Sequence, residues 1–527
     1  MNQIRSIAGW ILFYSIALIP DGVCQVAQPY RYEQDVKYSE EGFTVISLKK
    51  EGVALVRDKH KYEHGKKKWQ LEVLDTVLTN IWSTELDLEP RLNLVGYEYN
   101  PHHLYLLFRE GENDSYNFQL IKILFHEKGI QSNPIKFEIN FRLTHFTMAG
   151  TSAVFGGYIS NEPAVLMWSE STKQTKVLPG LFISDVSLLD VRMNQNQSFN
   201  VLLTERNLKE NKKMTVRTYD QEGNLLLEDI ITIEGALSIL TGLTSSLENE
   251  EMIVAGTYGE NAGKQATGYF TAVVDPFNEQ TVTYTDFSSL DHFMDYLPTR
   301  RAVKVKEKAK KQRDLGRLPD FKAYVSPYRI EERAEGFYLL SELYFPTSSI
   351  SSYPYGSPYY NPYSYGYSPY GMSPTSSRYS NTPNSYNNPV RSMDVRTNQT
   401  MVMAIDKHGK PGKDVSMKLA EYKQSSLEQV CDFIVSGDSI CIVYKDEEQL
   451  SYQKMAGEVD EKTTIKKQKI RLQTTTDVFK DEAEYEGQVR YWYDNQFYVW
   501  GYQTVKEAAR QVDQTRHVFY ITRFSVD

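Results

Sequence analysis

The residues best suited to hold a metal or move a proton near neutral pH are nine histidines, His60, His64, His102, His103, His126, His145, His292, His408 and His517. None stands in HExxH or another zinc spacing. His102-His103 is the sole adjacent pair, and it falls at a predicted hairpin tip, where sequence neighbours point apart. The stretch GTYGENAGKQ (Gly256–Gln265) has the flavour of a phosphate loop, but only three residues separate Gly259 from Gly263 and Gln265 stands where Ser or Thr is needed. It reads as a hairpin turn. There is no GxSxG elbow and no DxDxDG calcium loop. Asp and Glu number 68, so carboxylate pairs for glycoside hydrolysis are available in quantity, with nothing in their spacing to choose among them. The pattern names no catalytic residue, no metal site and no cofactor.

Two stretches instead carry residues suited to binding. Phe287–Leu318 opens with FSSLDHFMDYLP and continues through Arg300, Arg301, Lys304, Lys306, Lys308, Lys310, Lys311, Arg313 and Arg317 against Glu307 and Asp314. Its composition suits helix, and Phe287, Leu290, Phe293, Met294 and Leu297 make an amphipathic stripe for the first half. Either this is a solvated helix packed on a rim, or its cations, with Lys304, Lys308 and Lys311 as candidates, meet an acidic protein, a headgroup surface or a polyanionic glycan. Thr347–Thr397 is the second stretch. Ten tyrosines lie between Tyr353 and Tyr386 among repeated Pro, Gly, Ser and Asn, with no Val, Ile or Leu between Ile350 and Val390. Such a segment builds no core and is expected to be a disordered loop. Its tyrosines, Tyr360 and Tyr365 among them, are candidates for stacking on sugars or other chains.

The elements that carry these stretches repeat. Gly336–Pro346, GFYLLSELYFP, is the clearest copy of a short strand buried on both faces. Equivalent runs recur at Val53, Tyr105, Val154, Val201, Ile253, Tyr338, Cys441 and Tyr498, and four of the seven steps fall within 47–52 residues. The two longest steps contain the two insertions. A second landmark, an apolar run meeting a polar turn, recurs at His126–Gly129, Asp220–Gly223 and Asp406–Gly409, where glycine would supply positive φ. A unit of this size with four antiparallel strands is a propeller blade. The expected fold is therefore all-β, a β-propeller of about eight four-stranded blades (seven possible), with two stacked sandwiches as the rival. The last strand, HVFYITRFSV, lacks a following strand, and Arg31–Tyr38 is expected to pair with it and close the ring. The acidic stretch Asp477–Glu486 reads as a solvated connector.

The divisions that follow are 1–24 as signal peptide, 25–286 as the first blades, 287–318 as the basic insertion, 319–346 as blade strands, 347–397 as the tyrosine-rich loop and 398–527 as the last blades. Arg5, the apolar run Ile7–Ile19 and the break at Pro20 and Gly22 form a signal peptide, with Val23-Cys24-Gln25 as cleavage point. Thirteen apolar residues span only about 20 Å as a helix, short of a bilayer core of about 30 Å. Cleavage would leave no integral membrane span, and the chain is expected in the periplasm, on the outer-membrane surface or outside the cell. Cys24 allows a lipidated N-terminus as an alternative, although the usual Leu three places back is missing. A net charge of -9 gives no reason to expect nucleic acid. Cys431 and Cys441 flank a hairpin turning at Gly437-Asp438, whose register puts Cys441 opposite Ile434 and the two sulfurs on opposite faces, so two buried free thiols are expected. The sequons at Asn113, Asn196 and Asn398 matter only in a eukaryotic secretory host.

From Phe287 onward the order of features resembles a group of uncharacterised exported proteins of Bacteroidota. FMDYLPTRRAVKVKEKAKKQRDLG, GFYLLSELYFP, the tyrosine-rich loop, MVMAIDKHGKPGKD and RYWYDNQFYVWGYQ carry the likeness, over roughly Asp286–Tyr502. The resemblance implies export and a propeller-like fold, and brings no activity and no functional residues. The leading expectation is an exported non-enzymatic propeller that binds or scaffolds a protein or glycan at the cell envelope. The alternative is a carbohydrate-active enzyme with carboxylates on the axis.

Overall fold

In the computed structural model the described residues are 26–37, 42–111, 115–206, 211–247, 251–260, 265–278, 280, 282–346, 395–424, 427–455, 464–483, 487–507 and 515–526. Their strands form a β-propeller of eight antiparallel blades: five separate four-stranded sheets, a seven-stranded sheet that is two blades sharing one strand, and a last blade of five strands in which Val478–Glu482 and Val489–Tyr491 both pair with Gln496–Lys506. Blades 1 to 8 cover 44–88, 92–141, 142–177, 186–232, 237–286, 324–424, 432–469 and 478–526, the last completed by Val26–Asp35. Blades 2 and 3 share the long strand Gly129–Ala149. Its first part pairs back to Ser115–Leu124 and its second part pairs onward to Ser152–Ile159, so one continuous strand is the outer strand of one blade and the inner strand of the next. The eight apolar runs read from the sequence are the second strands of the eight blades, and GFYLLSELYFP is one of them in full.

These strands are apolar on both faces because both faces are covered. Each sheet stands edge-on to the ring, with a neighbouring blade on either side. One cluster runs through blades 1, 2 and 3, where Trp69 meets Phe108 edge-on at 5.0 Å and Phe118 meets Phe155 at 5.8 Å. Val154 packs with Leu188 between blades 3 and 4, and Leu202 with Val254 between 4 and 5. Tyr269 and Phe287 meet Leu339 and Met401 between 5 and 6; Leu340 meets Phe433 between 6 and 7. Val443 packs with Val499 between 7 and 8, and Tyr498 and Phe519 with Val45 and Leu55 between 8 and 1. Every consecutive pair of blades thus shares a core, and the last interface returns to the first. Each such side chain contributes about 1.5–3 kcal/mol when fully buried.

The closing strand pairs with the last strand as expected, but it runs Val26–Asp35, starting and ending earlier than the expected Arg31–Tyr38. Arg31 pairs with Thr522, Tyr32 with Ile521 and Asp35 with Val518, as the outer strand of blade 8. Arg31 donates to Gln503 at 2.7 Å and lies over the Tyr520 ring, while Tyr32 donates to Glu72 of blade 1 at 2.7 Å. Arg516 ties Glu33, Asp35 and Asp477 together at 3.0–3.2 Å. The hairpin over Cys431–Cys441 also has the expected register, Ile434 opposite Cys441, and both cysteines are buried and outside any disulfide.

Four expectations are corrected. Asp477–Glu486 is not all solvated connector: Val478–Glu482 is a strand paired to the second strand of blade 8, because buried Glu482 finds Lys445 at 2.6 Å. Residues 287–297 are not helical: a 3-10 turn over Phe287–Ser289, started by Asp286, leads into irregular chain whose apolar residues bury between blades 5 and 6. In the turn His126–Gly129 the left-handed residue is Lys128, at φ 51°, whereas Gly223 and Gly409 take it in the other two copies. The strand after the tyrosine-rich stretch starts at Val395, inside the boundary drawn at Thr397. That stretch otherwise lies outside the described residues, as does 1–25 with Cys24.

Candidate functional site

Antiparallel order decides which loops share a face. In every blade the inner strand runs away from the face it enters, and the second strand runs back to it. Connections from outer to inner strand, and from second to third strand, therefore emerge on one face, and all remaining turns on the other. The basic insertion joins the outer strand of blade 5 to the inner strand of blade 6; the tyrosine-rich stretch joins the second strand of blade 6, ending at Pro346, to the third, starting at Val395. Both leave the ring on the same face, at the same blade. A bridge between Ala266 and Ala323 ties neighbouring connections on that face.

Inside the ring the inner strands repeat one irregularity. Blades 2 to 6 each carry a bulge, at Val95, Thr144, Leu189, Leu240 and Tyr328. A bulge re-aims the residues that follow it. The next residues are Gly96, His145, Asp190, Thr241 and Arg329, and three of these five carry ionisable side chains buried beside the axis. Burial lowers the His145 imidazole to about 4, so it stays neutral, and its Nδ1 meets Thr144 Oγ1 at 2.8 Å. Asp190 Oδ2 accepts from the Thr244 backbone at 2.9 Å and its hydroxyl at 3.1 Å, and lies 3.2 Å from Arg192 Nε. Glu98 accepts from Thr147 at 3.0 Å. The Thr244–Asp190 and Thr147–Glu98 bonds cross from one blade to the next, whereas the Thr144–His145 and Asp190–Arg192 contacts lie within one strand.

The other side of the ring is built alike. Arg329 pairs with Asp432 at 3.1 Å and donates to the Phe433 carbonyl at 2.7 Å, and the second Asp432 oxygen accepts from the Tyr491 backbone at 2.8 Å. One Glu342 oxygen accepts from Val430 at 2.9 Å and Cys431 at 2.7 Å, which pins the entry to blade 7. Burial raises the Glu342 carboxyl to about 8, against those two N–H groups and Arg490. Glu342, on the second strand of blade 6, and Asp432, on the inner strand of blade 7, are buried carboxyl groups flanked by aromatic side chains, Tyr328, Phe433 and Tyr491. They are 0% and 1% exposed. No substrate reaches them without the blades parting, so they serve as clamps between blades.

The pKa of Glu342 has a stability consequence. The folded carboxyl holds its proton to about pH 8, while the unfolded chain releases it near 4.5. The folded state then binds more protons across that window, and stability falls as pH rises through it. Glu342→Gln stays neutral throughout and keeps an acceptor for Val430 and Cys431. Its urea midpoint should match the parent at pH 4.5 and exceed it increasingly up to pH 8. Parallel curves for the two proteins would refute the assignment.

Of the sequence-named residues, Lys304, Lys308 and Lys311 lie exposed on helix α1 (Thr299–Asp314), well away from the axis, while Tyr360 and Tyr365 lie outside the described residues. The structure thus brings the three lysines together on one helix and leaves them apart from the buried carboxyl groups of Glu342 and Asp432, which sequence reasoning did not find. His102-His103 sits at a hairpin turn as expected, and burial lowers His103. Among the described residues no cluster of His, Cys, Asp and Glu is arranged to hold a metal, and no helix is long and apolar enough to cross a membrane.

No protein-family model matches the chain, and no curated protein matches it. Among solved structures, it is similar to the polysaccharide lyase Uly1, with 10% identity, a TM-score of 0.37 and coverage of 92% of this chain and 99% of that one. A protein from Lactobacillus plantarum aligns with 11% identity and a TM-score of 0.38 over 79% and 95% of the two chains. The β-propeller domain of the Trilobed protease from Pyrococcus furiosus aligns with 9% identity and a TM-score of 0.34 over 82% and 93%. These neighbours include enzymes, and likenesses this distant assign no activity.

Proposed function

We propose that this propeller is exported and works without catalysis, binding or scaffolding a protein or glycan at the bacterial cell envelope, as its resemblance to exported Bacteroidota proteins suggests. One observation carries the reading: the buried carboxyl groups of Glu342 and Asp432 are bound up in contacts between blades, while both insertions leave the ring on one face. Both carboxyl groups are buried under backbone hydrogen bonds from the neighbouring blade, where a polysaccharide does not reach them. Export rests on Arg5, Ile7–Ile19 and the break at Pro20.

The test has two parts. Mass spectrometry of the protein from its native host should find a mature N-terminus near Gln25, or a lipid on Cys24; intact Met1 in a cytoplasmic fraction would end the export reading. Incubation with acidic and neutral polysaccharides should release no oligosaccharide. Release that disappears in Glu342→Gln with the fold intact would instead establish the carbohydrate-active enzyme.

A further inference from the structure

Helix α1 carries eight cations and two anions in TRRAVKVKEKAKKQRD, on a chain whose net charge is -9. The cations divide by direction. Lys306 turns inward to the Asp291 carbonyl at 2.9 Å, and Arg313 to Asp286 at 2.8 Å and Ser288 at 2.7 Å. Ala302, Val305 and buried Ala309 seat the same side on the ring. At 3.6 residues per turn, Arg300, Arg301, Lys304, Lys308 and Lys311 fall on roughly a quarter of the opposite, solvent side. All five are exposed. Lys308 alone meets an acid, Asp320 at 2.9 Å, and that pair is itself exposed and holds it weakly. Arg300, Arg301, Lys304 and Lys311 form no ion pair with a described residue. The row extends about 16 Å at 1.5 Å per residue.

We infer that this row is a docking surface for a linear acidic glycan, one bearing carboxylate or sulfate groups along its length. The inference rests on the proposal that the protein is exported. Charge complementarity selects a polyanion, and the shape of the row selects a linear one. A lipid surface fits poorly, because the apolar side of the helix is already buried against blades 5 and 6 and cannot insert. Nucleic acid fits poorly too, since no aromatic residue lies on the helix to stack on bases.

The test uses the full chain and polygalacturonate fragments as probe. The parent should bind them at low ionic strength, progressively less as salt rises. The triple variant Arg300→Glu, Lys304→Glu, Lys311→Glu should lose about tenfold or more in affinity, with an unchanged melting curve, because those side chains hold nothing in place. Reversal of Lys407 and Lys410, in a turn on the opposite face, should leave binding as it was. Equal binding by the triple variant, equal binding to neutral dextran, or tighter binding to anionic vesicles or single-stranded DNA would each overturn the inference. Polymer cleavage with binding intact would defeat the non-enzymatic reading and spare this one; loss of binding without cleavage would do the reverse.

Discussion

Deleting residues 25–37 should lower the stability of the entire ring in a single transition, instead of fraying one blade. The strand Val26–Asp35 is the outer strand of blade 8, and it also reaches blade 1 through Tyr32 and Glu72. Its loss exposes the edge of Thr515–Val526, strands Arg516 from Glu33 and Asp35, and loosens the core that Tyr498 and Phe519 share with Val45 and Leu55. In a stacked array each blade depends on its neighbours, and in a closed ring opening one interface weakens the whole. The expected fall in Tm is at least about 5 °C, small per kcal/mol because a large cooperative unit has a large unfolding entropy. Thermal unfolding followed by near-UV and far-UV circular dichroism measures it. A truncated protein that melts like the parent, or shows a minor early transition before an unshifted main one, would mean that the ring is not held by this strand.

Much of this architecture is legible in the sequence, for a physical reason. Second strands of propeller blades are covered on both faces, so they stand out as unbroken apolar runs such as LYLLFRE and ICIVYKD, and all eight were found by that signal. Closure was legible because HVFYITRFSV needs a partner and the stretch near Arg31 alternates. Inner strands were much less legible. The bulges at Val95, Thr144, Leu189, Leu240 and Tyr328 break their alternation, so His145, Asp190 and Arg329 look like stray polar residues. Val478–Glu482 was misread because its charges suggest solvent, and the partner that buries Glu482, Lys445, comes from blade 7, far off in sequence. The stripe in 287–297 was misread because residues that pack together through a 3-10 turn and irregular chain can be spaced as they would be on a helix face. The basic helix itself was legible from composition alone, although which cations face solvent depends on Asp286 and Asp291 turning Arg313 and Lys306 inward.

The bulged positions also set the largest expected effect of a single substitution. Asp432→Ala takes from buried Arg329 its nearer acid, leaving Glu331 at 3.9 Å, and removes the acceptor from the Tyr491 backbone, so it weakens the links from blade 6 to 7 and from 7 to 8 together. Asp190→Ala removes an acid 3.2 Å from buried Arg192 and the acceptor from the Thr244 backbone on the other side of the ring. Removing one partner of a buried ion pair costs about 3–5 kcal/mol. Asp432→Asn should cost less, because an amide oxygen still accepts from Tyr491 and only the ion pair with Arg329 is lost. These losses should appear in urea unfolding. They should leave the binding of polygalacturonate to the folded protein unchanged, since helix α1 docks on the ring through Ala302, Val305 and Ala309 and touches neither aspartate. If Asp190 and Asp432 also served chemistry, removing them would abolish an activity in addition to lowering stability. A fall in stability of the expected size, with binding retained, identifies them as the clamps that hold consecutive blades in register around the axis.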